Sequence, residues 1–181
     1  AIEIMKEFPT STIVNNNYNF QIKKNINASS IHVIDPFDVT KDQYMPFLSL
    51  ALNPFWFQKE FDTHIQSQDL FKGQINLRSI HVTRYKPGRR CLIEYTFEEE
   101  CDNDRNKLIV LIGKADASGL RKSGYNLLKS LRKNGFGSES KDEIYVPKPV
   151  GIIPRFNMWL QKKVFGKVST QLITETDGTL L

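Results

Sequence analysis

The run SIHVTRYKPGRRCLIEYTF, residues 79–97, decides how the chain folds. Ile80 and Val82 alternate with His81 and Thr83, and Cys91, Ile93, Tyr95 and Phe97 alternate with Leu92, Glu94 and Thr96. A period of two is the signature of a strand with one face buried. Pro87-Gly88 lies between the two runs; proline presets its own φ and glycine accepts a positive one, so the pair marks a turn. The stretch predicts an antiparallel hairpin with its tip at Pro87-Gly88. Pro-Gly favours a type II turn, whose twist mismatches a hairpin, so the tip is expected to be wider than two residues. Lys86, Arg89 and Arg90 crowd that tip. They are either solvated or set over something anionic.

Downstream, EEECDNDRN (98–106) is a polar connection to KLIVLIGKADA, where Leu108 to Ile112 read as a buried strand ending in Gly113-Lys114. This strand, 107–113, is expected to pair with the hairpin. Leu120, Leu127, Leu128 and Leu131 then recur at helical spacing, and Gly135 is a stop signal. A helix over about 118–133 is predicted to lay its leucines on the sheet and its basic side chains toward water. After the loop SESKDE, the runs IYVPKPVGIIP and NMWLQKKVFG read as two more strands with a turn at Pro154–Asn157. The order strand, strand, strand, helix, strand, strand predicts an α+β fold: a five-stranded antiparallel sheet with one packed helix.

Upstream, residues 1–34 are polar and Asn-rich and read as an arm with one short strand at NYNFQI. Asn27-Ala28-Ser29 matches a glycosylation sequon, a pattern common by chance. Residues 35–75 read as a helical leader. Pro46 and Pro54 suit first helical turns, giving helices at about 45–52 and 54–66. The aromatic stripe Phe55, Trp56, Phe57 and Phe61 reads as packing surface.

The 181 residues are 40% hydrophobic, enough to bury a core, and no apolar run nears the ~20 residues of a membrane span. The start AIEIMKEFPTST lacks a charged region followed by an apolar block, so a cytoplasmic protein is expected. Cys91 and Cys101 have no metal-ligand spacing and read as reduced thiols. The net charge of +5 permits a polyanionic partner.

Taken in order, RYKPGRRCLIEY, VLIGK, the helix ending LLKSLRKNG, VPKPVGIIP and MWLQKKVFGKVS resemble the N-terminal lobe of the aminoglycoside/choline phosphotransferase family, a branch of the protein-kinase-like fold. DPFD…YMPFLSLALNP resembles the helical leader of one bacterial subgroup. The likeness covers roughly residues 35 to 170. It implies a kinase-like lobe over 76–170, with 171–181 beginning a link to a C-terminal lobe.

It also implies a nucleotide, ATP with Mg²⁺, under the hairpin. Gly88 would bring backbone close to the phosphates, and Arg89 and Arg90 would supply charge. Lys114 stands where the family's nucleotide lysine sits. The Lys162 carbonyl and Val164 N–H stand where the hinge pairs with adenine. The chain departs from the pattern in three ways. Lys162-Lys163 stands at the hinge where the family often has an acidic residue, whereas the single Gly88, in place of the Gly-x-Gly-x-x-Gly loop of protein kinases, matches the phosphotransferase subgroup. The helix after Lys114 has no Glu or Asp between Ser118 and Asn134, carrying Arg121, Lys122, Lys129, Arg132 and Lys133 instead. His32, His64 and His81 are its three histidines, and none begins a His-Gly-Asp. The expectation is a nucleotide-binding lobe of a phosphotransferase with an unspecified small-molecule acceptor, inactive without its C-terminal lobe. The alternatives are a non-catalytic kinase-like interaction module and, third, a basic nucleic-acid-binding domain, for which no reading motif accompanies the charges.

Overall fold

The computed structural model describes residues 18–20, 31–65, 70–100, 106–140 and 144–164. In chain order these form β1 (Tyr18–Phe20), β2 (Ile31–Ile34), α1 (Leu48–Ala51), α2 (Pro54–His64), β3 (Ile75–Lys86), β4 (Arg90–Glu99), β5 (Lys107–Asp116), α3 (Lys122–Lys133), β6 (Pro149–Ile153) and β7 (Met158–Lys162). The fold is α+β.

The quoted run is the β3–β4 hairpin. Lys86 pairs with Arg90, leaving Pro87, Gly88 and Arg89 as the tip, wider than two residues as the Pro-Gly twist argument requires. The Arg89 N–H donates to the Lys86 carbonyl at 3.0 Å, and Gly88 sits at φ 59, a value most side chains avoid. β5 lies antiparallel to β4 along its whole length, from Arg90 opposite Asp116 to Glu99 opposite Lys107.

The sheet departs from the five-stranded antiparallel expectation. Among the described residues it has seven strands in the order β1-β2-β3-β4-β5-β7-β6. The antiparallel five are present as β3-β4-β5-β7-β6. β2 adds to them in parallel with β3, and β1 adds antiparallel to β2, so the sheet is mixed. Residues expected to be arm thus supply two strands. IHVI alternates, and it buries Ile31 and Val33 while exposing His32 and Ile34. Strand β5 also runs past Gly113, so Lys114 stands inside it and not at its end.

One face of the sheet is the core. Cys91, Ile93, Tyr95 and Phe97 of β4 and Ile109, Leu111 and Ala115 of β5 point into it and are buried. The leader helices cover this face. Phe57 stacks on Tyr95 with ring centroids 3.6 Å apart and planes within 5°, and Phe61 lies 5.0 Å from Phe97. The Tyr95 hydroxyl, with no water to bond, donates to the Ala51 carbonyl at 3.1 Å. α2 begins where Pro54 predicts, with the Asn53 side chain capping the Phe55 and Trp56 N–H groups. Phe55 is the exception in the aromatic stripe, being 48% exposed.

Among the described residues the other face is covered by α3 on its β6–β7 side and is otherwise open. Gly124 abuts Trp159, where a Cβ would approach the indole to 3.1 Å, and Tyr125 meets the same ring edge-on at 6.3 Å. The expected leucine face is only partly realised. Leu128 and Leu131 are half-buried, but Leu127 is 58% exposed, because the helix leans on the sheet through Gly124 and Tyr125.

A bulge decides what else reaches the open face. Val82 pairs with Ile93 on the core side, but the register then shifts, and Arg84 pairs with Leu92. The extra residue, Thr83, reverses the in–out parity of the rest of β3. Tyr85 therefore turns to the core side opposite Cys91, while Arg84 and Lys86 turn to the open side.

Candidate functional site

On the open face, Arg84, Leu92, Lys114 and Trp159 form one row across β3, β4, β5 and β7. They floor a cleft of about 450 Å³ whose other walls include Lys86, Arg90, Asp116, Arg121, Ser123 and Gly124. Among the described residues, five cationic side chains thus meet a single carboxylate. Ser123 and Gly124 belong to the first turn of α3, whose unpaired N–H groups and dipole also favour an anion.

Lys114 is half-buried, and burial depresses its ammonium below the ordinary lysine value. The ammonium lies 4.7 Å from the centre of the Trp159 ring, a cation–π contact. Among the described residues, no carboxylate forms a salt bridge with it. An α3 without acidic residues offers none. The one carboxylate in the cleft is committed elsewhere. Asp116 accepts from the Ser118 N–H at 3.0 Å and the Ser118 hydroxyl at 2.5 Å, and its other oxygen faces Arg121 at 3.2 Å and Arg90 at 3.4 Å. Burial pushes its carboxyl up, but these donors and charges outweigh that and hold it below the ordinary range.

The structure brings together Lys114, Arg90 and Lys86 of the residues singled out from sequence, and adds Arg84 and Arg121. Gly88 is turned away. Its N–H donates at 2.8 Å to Asp42, which also accepts from the Tyr85 hydroxyl at 2.7 Å and, through its other oxygen, from the Tyr44 N–H at 2.8 Å. The backbone amide that the resemblance assigns to phosphate is occupied by a carboxylate of the leader. Arg89 is exposed, and its carbonyl accepts from the Ala117 N–H at 2.9 Å.

Lys162 and Val164 line a second hollow of about 330 Å³ together with Arg132, Tyr145, Lys148 and Lys163. The Lys162 N–H is bonded to the Lys148 carbonyl and the Lys163 N–H to the Val110 carbonyl, each at 2.8 Å. The Lys163 side chain crosses β5 and donates to Glu94 on β4 at 2.9 Å. Glu94 pairs with Ile112 in the sheet, so this ion pair spans the open face two residues along β5 from Lys114. Among the described residues no group of three or more His, Cys, Asp or Glu side chains is placed to hold a metal.

Lys114 could be found from sequence because it follows an uninterrupted apolar run. Arg84 could not, and Lys86 was legible only as a cation of the tip, because the face of both depends on the bulge. Asp42 had a partial signal, lying just ahead of the leader helices, but its partner is 46 residues away.

No family model, no curated protein and no solved structure matches this chain. No helix among the described residues is long and apolar enough to cross a membrane. Cys91 is a buried free thiol, and burial, aided by the charges of Asp35 and Asp42, pushes it up to about 12, so it is inert as a nucleophile. Cys101 and residues 165–181 lie outside the described residues.

Proposed function

We propose that this chain is the nucleotide-side lobe of an ATP-dependent small-molecule phosphotransferase, and that residues 1–181 alone transfer no phosphate. The observation that carries the reading is the position of Lys114. It stands on the middle strand of β3-β4-β5-β7-β6, in a cation-lined cleft, with α3 connecting β5 to β6. That strand order and helix placement suit a kinase-like N-terminal lobe. A lysine there reaches phosphate oxygens from a rigid base. The Lys162–Val164 backbone would meet adenine once the Lys163–Glu94 pair is displaced, and the ligands of Mg²⁺ and the catalytic base would come from residues outside this face.

Calorimetry with ATP–Mg²⁺ on the wild type and on Lys114→Ala tests the reading. Weak binding that Lys114→Ala abolishes supports it, and binding indifferent to Lys114 refutes it. Phosphate transfer by residues 1–181 alone would end the description as half of an enzyme.

A non-catalytic module that docks a partner is the second reading. The leader's Tyr44 and Phe55 favour it, being 78% and 48% exposed. It gains if no nucleotide binds.

A further inference from the structure

We propose that the Lys114 cleft is an oligophosphate site that takes its ligand free of divalent metal and holds a nucleotide by its phosphates, with little contribution from the base. This deepens the nucleotide reading and rests on it for the assignment of the cleft to a phosphorylated ligand.

Charge is the first argument. Arg84, Lys86, Arg90, Lys114 and Arg121 converge on one cleft, and Asp116 is their single opposing carboxylate. Asp116 is already satisfied by Ser118, Arg90 and Arg121, so it is poorly available as a metal ligand. Arg84, Lys86 and Lys114 enter no salt bridge among the described residues. A free triphosphate carries close to four negative charges at neutral pH and offers each cation an oxygen. Coordinated Mg²⁺ cancels two of those charges and occupies the same oxygens. Like charge also keeps a divalent cation out of a cleft with this surplus. The free anion is therefore the better match.

Geometry is the second argument. The three unpaired cations come from strands held in register. Arg84 and Lys114 both flank Leu92, on β3 and β5 respectively, and Lys86 lies two residues beyond Arg84 toward the tip. Neighbouring strands are ~4.8 Å apart, so Arg84 and Lys114 stand about 10 Å apart at the backbone, a span that long side chains close over a phosphate chain. Burial already depresses Lys114, so an anion at its ammonium recovers the cost of holding that charge.

The base finds no free surface beside the phosphates. The surface where a base would extend from Lys114 toward the hinge, over Ile112, is spanned by the Lys163–Glu94 ion pair. A base lying there must displace two mutually satisfied charges, and that cost cancels much of what stacking returns. At the phosphate end Asp116 pairs with Arg90 and Arg121 in the wall of the cleft, while Arg84, Lys86 and Lys114 enter no salt bridge among the described residues.

The test is calorimetry of the intact chain with sodium tripolyphosphate, ATP and adenosine, each in EDTA and in excess Mg²⁺. Tripolyphosphate and ATP are expected to bind within about threefold of each other in EDTA, adenosine not at all, and Mg²⁺ to weaken both polyphosphates by about tenfold or more. Arg84→Gln and Lys86→Gln, both at exposed positions, should each weaken binding by about tenfold, the value of one charge-assisted contact, while circular dichroism stays unchanged. ATP binding about a hundredfold tighter than tripolyphosphate, or binding that requires Mg²⁺, overturns this proposal and leaves the nucleotide reading intact. Polyphosphate binding untouched by either substitution places the anion elsewhere and also overturns it. If neither ATP nor tripolyphosphate binds under any condition, both readings fall.

Discussion

Asp42 of the leader and Gly88 of the hairpin tip are joined by a 2.8 Å hydrogen bond from the Gly88 N–H, and Tyr85 donates to the same carboxylate oxygen at 2.7 Å. The tip is thereby fixed from the core side of the sheet, with the Tyr44 ring packed where a Gly88 Cβ would stand. Asp42→Ala leaves the Tyr85 hydroxyl and the Gly88 amide without their acceptor. It should cost about 1–3 kcal/mol in a denaturant titration. Amide exchange at Gly88 should accelerate more than exchange in the middle of β4.

The same carboxylate gives an acid dependence. Burial raises the Asp42 carboxyl, but the Tyr85, Gly88, Tyr44 and Met45 donors outweigh it and hold it below the ordinary range. A carboxylate depressed in the folded chain binds fewer protons there than when unfolded, so stability rises with pH across that interval. Its contribution is complete above pH ~4 and is lost as pH falls through the lower folded value. Urea midpoints between pH 2 and 5 should fall less steeply in Asp42→Asn than in the wild type. Identical slopes would remove Asp42 from the account.

The aromatic stripe of α2 should split by burial. Phe57 and its stacking partner Tyr95 are both fully buried, so Phe57→Ala should cost about 3–5 kcal/mol. Phe55, at 48% exposure, should cost under about 1 kcal/mol when cut to alanine. Equal losses at the two positions would mean the helix is rotated from the arrangement described.

Leucines of α3 should divide likewise. Leu127→Ala, at a 58% exposed position, should fall within about 0.5 kcal/mol of the wild type. A loss above about 2 kcal/mol in thermal or denaturant unfolding would show that Leu127 is covered.

Gly113 is a packing constraint of the sheet. A Cβ there would stand 2.5 Å from the Met158 sulfur and 2.9 Å from Cε2 of Tyr95. Gly113→Ala should destabilise by about 1–3 kcal/mol through overpacking, read as a lowered urea midpoint with unchanged slope.

Local pattern made part of this fold legible and non-local pairing hid the rest. The hairpin and β5 could be read because alternation and the Pro87-Gly88 turn are short-range signals. β2 could not, because four residues of IHVI find their strand partner some 47 positions later, in parallel. For the leucines of α3, spacing gave the helix but not how much of it would be covered. At the candidate site, Lys114 was legible from the apolar run before it. The open-face placement of Arg84 and Lys86 was hidden by the bulge at Thr83, since strict alternation from Val82 would send both into the core. The Lys163–Glu94 pair depends on β7 lying beside β5, which sequence order does not disclose.

That placement of β7 has a consequence for assembly in time. The ribosome delivers β6 before β7, yet among the described residues β6 pairs with β7 alone. Among those residues Met158–Lys162 is likewise the strand that pairs with the β5 edge facing away from β4. β7 joins the two, lying between β5 and β6 although it follows both in the chain. Trp159 travels on that strand, and with it come part of the floor of the cleft and the ring beside Lys114. Of the residues that line the cleft Trp159 is the last in sequence, so a chain cut short of β7 keeps every cation of the cleft and loses that ring.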